Sequence, residues 1–193
     1  MKIKLLSSAL MAAMFSLSAQ AALETGAAAP SFTTQASMDG EEFTYSLQQS
    51  LNLVGPTVVY FYPSAYTQGC NIQAHTFAIN MEKFHDAGAT VVGVSLDSIE
   101  RLNDFSADPE FCAGELPVAS DLDGSIARSY GLDVRDGRPG FKDTRGVDVD
   151  HGFISRDTFV VGADGTIVGT AGGVSPEENV MTSLEIVESI ASR

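Results

Sequence analysis

Thr57-Val58-Val59-Tyr60-Phe61-Tyr62-Pro63-Ser64-Ala65-Tyr66-Thr67-Gln68-Gly69-Cys70 carries the architecture of this chain. Its first six residues are β-branched or aromatic without a polar break, the pattern of a strand covered on both faces. Pro63 ends that strand at a point where no backbone donor is missed, and its rigid ring can wall a neighbouring atom from water. After the loop, Ile72, Phe77, Met81 and Phe84 recur near helical spacing, so an amphipathic helix is expected over 70–86, closed by Gly88. Cys70 therefore stands at the start of a helix, where unpaired backbone N–H groups favour thiolate over thiol. Thr67, three residues earlier, can curl back so that its hydroxyl reaches the sulfur or a substrate oxygen.

Downstream, Thr90 to Leu96 is a second buried-type strand. A helix follows from about Ser98 to Asp108-Pro109, then a short strand near Leu116–Ala119 and a helical turn or two over Gly124–Tyr130. Upstream, 22–31 is small and flexible in composition, Met38-Asp39-Gly40-Glu41 reads as a tight hairpin turn, and Leu47–Leu53 is weakly helical. Residues 132–155 hold four Gly and one Pro with no period and read as a long loop or insertion. Thr158–Val161 and Ile167–Thr170 form a second Asp-Gly hairpin. The closing helix starts at Ser175 with Pro176 at its first position and Glu178 in capping-box register. Strands alternating with helices, without repeat or linker, imply one α/β domain with a mixed sheet flanked by helices.

Composition narrows the functions available. The 193 residues suffice for one domain with a real core, and 44% hydrophobic against 19% charged excludes a disordered polymer. Eleven basic against 25 acidic side chains give a formal charge of −14, which disfavours nucleic acid and anionic membrane surfaces as partners. Two cysteines exclude multi-cysteine zinc modules, and the three histidines have no ligand partner at metal spacing, so no metal is expected. At the N-terminus, Lys2 and Lys4, the apolar run Leu5–Leu17 and Ala19-Gln20-Ala21 read as a cleaved export signal over 1–21, leaving 22–193 as the mature domain. The apolar run is too short for a spanning helix. A periplasmic or secreted location follows, where the pair Cys70 and Cys112 can persist as a disulfide.

Pro63, Thr67 and Cys70 in the order Pro-x-x-x-Thr-x-x-Cys resemble the active-site signature of the peroxiredoxins (AhpC/TSA type). Gly26-Ala27-Ala28-Ala29-Pro30-Ser31-Phe32, Arg156-Asp157-Thr158-Phe159-Val160-Val161 and the hairpin Ala163–Ile167 are similar to further family segments, in the same order. The likeness spans about 26–190 and is greatest to the bacterioferritin-comigratory, or Q-type, subgroup. It implies a thioredoxin-like fold and a thiol peroxidase acting on hydrogen peroxide and organic hydroperoxides. Cys70 would be the attacking thiolate, Thr67 and Arg156 would donate hydrogen bonds to sulfur and peroxide, and Pro63 would shield the site. No cofactor is implied, because thiols supply the electrons. The recycling partner would be a thioredoxin-like protein or a small thiol, with the chain a monomer or homodimer.

Three positions depart from the family pattern: Gln73 where Glu is common, Gln68 where Pro is common, and His75 where many Q-type members carry the resolving cysteine. The resemblance leaves Cys112 for that role, near the end of the helix after the second strand. Two other readings stay open at this point. A thiol–disulfide oxidoreductase on the same fold would want Cys-x-x-Cys, yet position 73 is Gln. A non-catalytic exported domain would use Cys70 and Cys112 only as a structural disulfide, and Thr67 and Arg156 would then be an ordinary loop hydroxyl and surface charge.

Overall fold

The computed structural model describes residues 21–192. The export signal expected over 1–21 therefore lies, except for Ala21, outside the described residues. Nine strands and six helices follow in the order β1 (Thr33–Met38), β2 (Glu41–Ser46), α1 (Leu47–Leu53), β3 (Thr57–Phe61), α2 (Gln68–Ala78), α3 (Met81–Asp86), β4 (Thr90–Ser95), α4 (Ile99–Ala107), β5 (Val118–Ser120), α5 (Ser125–Ser129), β6 (Val134–Arg135), β7 (Phe153–Ile154), β8 (Asp157–Val161), β9 (Ile167–Gly172) and α6 (Pro176–Ala191). Seven strands make one sheet in the order β2-β1-β5-β4-β3-β8-β9, and β6 pairs with β7 alone. The neighbours β3–β4 and β4–β5 run parallel and the other pairs antiparallel, the mixed sheet that the alternation of elements implies.

Every residue of β3 is buried, because the sheet is covered on both sides. Val58, Tyr60 and Tyr62 face a core shared with α2, α3, α4 and α6. Val59 and Phe61 face a second core shared with α1 and α5. Period-two alternation along one apolar strand thus serves two cores. Tyr60 stacks on Phe77 of α2 with ring centroids 4.5 Å apart, which seats α2 directly over β3. The space that Tyr60 occupies exists because residue 93, its partner on β4, is glycine: a Cβ there would sit 2.5 Å from the phenol.

Three expectations are corrected. The helix expected over 70–86 is two helices. Asn80 donates through Nδ2 to the Thr76 carbonyl at 2.8 Å, the acceptor its own backbone N–H would use in a continuous helix, and that N–H turns to Phe77 instead. The break leaves Ile79 exposed and returns Met81 and Phe84 to the core, and it places His75 and His85 on different helices. Residues 22–31 are held rather than free, since Leu23 bonds Tyr130, Gly26 bonds Ile167 and Ala29 bonds Gly165 through their backbones. Cys112 is not within α4 but in the turn that follows it, five residues past Ala107 and fully buried. The hairpin turns at Asp39-Gly40 (φ of 52° and 78°) and the Ser175 cap of α6 stand as expected.

Candidate active site

The loop from Pro63 to Thr67 leaves the end of β3 and delivers Cys70 into the first turn of α2, where the Cys70 and Asn71 amides bond the Thr67 carbonyl at 2.9 and 2.8 Å. The Cys70 side chain is buried, and Nη2 of Arg156 lies 3.3 Å from its sulfur. Arg156 arrives from the residue before β8, whose pairing with β3 sets it opposite the cysteine loop. Gly69 eases the approach, because a Cβ there would stand 3.1 Å from Arg156 Nη2 and press the guanidinium back by a few tenths of an ångström.

Gln73 holds the other arm of the guanidinium. Its Oε1 accepts from Arg156 Nη1, and its Nε2 donates to Asn179 Oδ1 at 2.8 Å. Asn179 also accepts from the Thr158 hydroxyl at 2.7 Å and donates to the Ala171 carbonyl at 2.8 Å. This buried chain from β9 and α6 to the sulfur is fully hydrogen-bonded, which fixes the arginine rather than merely placing it nearby. A carboxylate at position 73 would pair with the guanidinium. The neutral glutamine leaves the positive charge of Arg156 facing Cys70.

Thr67 differs from expectation. Its hydroxyl donates to the Ser64 carbonyl at 2.8 Å and not to the sulfur, so toward the site its oxygen is left as an acceptor. Pro63 and Thr67 together line a cavity of about 430 Å³. A larger hollow of about 830 Å³ lies elsewhere, between β1 and α5, and is lined by Ile99, Leu122 and Ile126 together with carboxylates and hydroxyls.

The cysteine loop is anchored from behind by a buried carboxylate. Asp97 Oδ1 accepts from Ser64 Oγ (3.0 Å), Arg101 Nε (2.9 Å) and His151 Nε2 (2.8 Å). Its Oδ2 accepts from the Ala65 amide (2.8 Å) and Ser95 Oγ (2.6 Å). Burial would raise the Asp97 pKa, but the His151 bond and charge and the bonds from Ser95 and Ala65 outweigh it and hold the carboxyl below its usual range. Burial likewise would lower His151, yet Asp97 and the Gly152 carbonyl raise it. Both imidazole nitrogens face acceptors, Nδ1 meeting Gly152 O at 2.7 Å, which suits the doubly protonated ring.

Arg101 extends this network to the Ala65 carbonyl at 2.9 Å and to Asp143 at 2.8 Å. Tyr66 adopts φ of 59°, and its carbonyl accepts from the Thr144 amide and hydroxyl at 2.9 and 2.8 Å. Arg145 caps the Tyr66 ring with its guanidinium carbon 3.3 Å from the centroid. The loop 132–155 therefore is not a passive insertion: it clamps residues 64–66 in place. His151 and Asn179 were not singled out in the sequence, because their contacts with Asp97 and Gln73 span 54 and 106 positions and have no local signature; Asp97 and Arg101 stand four apart, a spacing that does signal a pair, but their link to the cysteine loop 32 to 36 positions away does not show in it.

Cys70 and Cys112 are both free thiols in the same core. Burial pushes the Cys112 thiol well above its ordinary value, and the Asp108 charge adds to that. Phe105, Phe111 and Tyr66 pack against one another beside it, at 5.0 to 5.7 Å between centroids.

A seven-stranded mixed sheet with a cysteine in the first turn of the helix after β3 defines a thioredoxin-like domain built for thiol chemistry. The AhpC/TSA family model matches residues 25–170, and the chain belongs to that family of peroxiredoxins. It is 33% identical over 145 residues to peroxiredoxin Bcp of Escherichia coli K12, an alignment covering 75% of this chain and 83% of the relative. It is 29% identical over 168 residues to a putative chloroplastic peroxiredoxin Q of Oryza sativa, covering 86% and 67%. Among solved structures it is similar to peroxidoxin BcpB of Mycobacterium tuberculosis, with a TM-score of 0.72, 25% identity and coverage of 87% and 98%. Peroxiredoxin Q of Xanthomonas campestris superposes with a TM-score of 0.63, 26% identity and coverage of 81% and 90%. The chain is a thiol peroxidase.

Proposed function

We propose that Cys70 is the attacking sulfur of this peroxidase and that Arg156, Thr67 and Pro63 complete its site. The observation that carries this is the guanidinium of Arg156 held 3.3 Å from the Cys70 sulfur at the start of α2. The sulfur attacks the terminal oxygen of R–O–O–H, an S–O bond forms and the O–O bond breaks. The departing RO⁻ takes a proton and leaves as alcohol or, for hydrogen peroxide, water. Cys70 is left as a sulfenic acid. Arg156 stands where negative charge passes from sulfur to the leaving oxygen, and the fixed donor lowers that barrier. The free lone pairs of Thr67 accept the peroxide O–H and aim it. An alkyl peroxide reduction activity is named for the bacterioferritin comigratory protein of Xanthomonas campestris, 26% identical to this chain, which supports organic hydroperoxides as substrates here too.

Cys112 is the resolving thiol in this reading. It attacks the Cys70 sulfur, an S–S bond forms, and the sulfenic hydroxyl leaves as water with the thiol proton. A buried thiol with a raised pKa must first reach water to ionise, so the turn 108–115 and the first turn of α2 open together in each cycle. A dithiol protein or small thiol then returns two electrons. Residues 1–21 direct export, so the enzyme works in the periplasm or outside the cell. A dithiol oxidoreductase is disfavoured because the buried Gln73 fills the second thiol position.

Stopped-flow mixing of the reduced Cys112→Ser variant with hydrogen peroxide tests the assignment. Consumption far faster than a free thiol, abolished by Cys70→Ser, is expected. A rate equal to a free thiol's overturns it.

A further inference from the structure

His151 stands 87 positions beyond Ser64, yet only two hydrogen bonds separate its ring from the cysteine loop. Its Nε2 meets Asp97 Oδ1 at 2.8 Å, and Asp97 accepts from Ser64 Oγ at 3.0 Å and from the Ala65 amide at 2.8 Å. The Ser64 carbonyl then accepts the Thr67 hydroxyl at 2.8 Å, and the Thr67 carbonyl accepts the Cys70 amide at 2.9 Å. Every link from the imidazole to the first turn of α2 is thus a direct contact. Nδ1 closes the other side on the Gly152 carbonyl at 2.7 Å, and the His151 side chain is only 11% exposed. The ring therefore faces two acceptors. In the imidazolium both nitrogens donate; after one proton is lost, a lone pair faces an oxygen whichever tautomer forms, and the ring or its partner must move.

Asp97 is the one carboxylate in ion-pair reach of the ring among the described residues. Arg101 of α4 opposes a second positive charge nearby, but it is itself paired with Asp97 at 2.9 Å and with Asp143 at 2.8 Å, and Asp143 also pairs with Arg145. The cysteine loop presents the uncharged Ser64 hydroxyl 3.4 Å from Nε2, and β7 presents the Phe153 ring at 6.1 Å between centroids. On the β6 side, Gly137 and Gly152 let backbone meet backbone with no side chain between. Building on the peroxidase reading above, we infer that His151 is a positioning residue for peroxide reduction: its imidazolium, acting through Asp97, holds residues 64–67 in register for the attack, and loss of its proton slackens the loop and slows the enzyme. Two titrations then oppose each other. Rising pH makes thiolate, and it weakens the clamp as it passes the value of the ring, which Asp97 and the Gly152 carbonyl raise above the ordinary 6.5.

The test separates the two titrations with two reagents on the Cys112→Ser variant. Iodoacetamide needs only the thiolate, whereas hydrogen peroxide also needs Thr67 and Arg156 aligned. The ratio of peroxide to iodoacetamide rate constants therefore reports positioning and cancels ionisation. From about pH 6 to about pH 9 the ratio should fall by about tenfold. That is short of the roughly 10²-fold cost of a 1 Å misplacement, because Asp97 keeps Ala65, Ser95 and Arg101 when His151 is neutral. His151→Gln, which is never charged, should show the low ratio at every pH. His85→Gln, which removes an exposed imidazole, should leave the fall intact. The His151 ring signal, followed by NMR, should titrate with the midpoint of the ratio. A flat ratio with His151 present, a His151→Gln ratio that stays high or still falls, or a midpoint that differs from the ring's overturns the inference. A peroxide rate no faster than a free thiol's at any pH overturns the peroxidase reading itself, whereas a fast rate with a flat ratio overturns only the role of His151.

Discussion

Asparagine in place of Asp97 keeps the size of the side chain and removes its charge. The carboxylate accepts five hydrogen bonds and is fully buried, and an amide must turn its NH₂ group toward donors whichever way it is placed. Arg101 retains Asp143 as a second carboxylate at 2.8 Å, so its charge stays compensated. His151 keeps no carboxylate. Breaking a buried ion pair from one side costs about 3–5 kcal/mol, and the retained Arg101–Asp143 pair places this substitution near the lower end, about 3 kcal/mol. That is a large part of the roughly 5–15 kcal/mol of a typical domain. Urea unfolding reads it as a lower midpoint at unchanged slope.

The pH dependence supplies a second, independent signature. His151 has its folded pKa raised above 6.5, so its contribution is whole below 6.5 and is lost as pH rises through the folded value. Asp97 has its folded pKa lowered below 3.8, so its contribution is whole above 3.8 and is lost as pH falls through the folded value. The network therefore stabilises most between these limits. Asp97→Asn should flatten the decline above 6.5, because the histidine has lost the partner that raised it. A loss under about 1 kcal/mol with an unchanged pH profile would refute the clamp.

Asn179→Ala leaves Gln73 Nε2 and Thr158 Oγ1 without their acceptor and frees Arg156, so peroxide reduction should slow by about ten- to a hundredfold while Cys70 stays alkylatable; steady-state peroxide consumption measures it. Arg156→Lys cannot bond the sulfur and Gln73 together and should cost about 10²–10³ in the rate of sulfenic acid formation, followed by stopped flow. Gly93→Ala drives a methyl into the Tyr60 ring from the adjacent strand and should destabilise the fold by about 1–3 kcal/mol in urea titration.

The buried strands β3 and β4, the two Asp-Gly hairpins and the capped α6 were legible because each rests on neighbouring residues: apolar runs, turn chemistry and a serine cap. Cys70, Thr67, Pro63 and Arg156 stood out as candidates only because three of them share one short motif and the fourth directly precedes a recognisable strand. The break at Asn80 was hidden, since Met81 and Phe84 keep helical spacing after the chain has turned. For Thr67 the sequence left the sulfur or a substrate oxygen open, and in the structure its hydroxyl takes the carbonyl three residues back, Ser64 O, a local bond that threonine makes readily. The least legible part was 132–155, which looks structureless by composition and yet supplies His151, Asp143, Thr144 and Arg145 to the cysteine loop. Those contacts depend on how a long insertion folds back across the sheet, and no periodicity records that.

Peptide mass mapping after one equivalent of hydrogen peroxide bears most directly on the chemistry assigned to Cys70. In Cys112→Ser the Cys70 peptide should be heavier by a single oxygen and trappable by a sulfenic-acid reagent, and in the unaltered chain the same treatment should join it to the Cys112 peptide. An untouched Cys70 after the peroxide has been consumed would contradict the account.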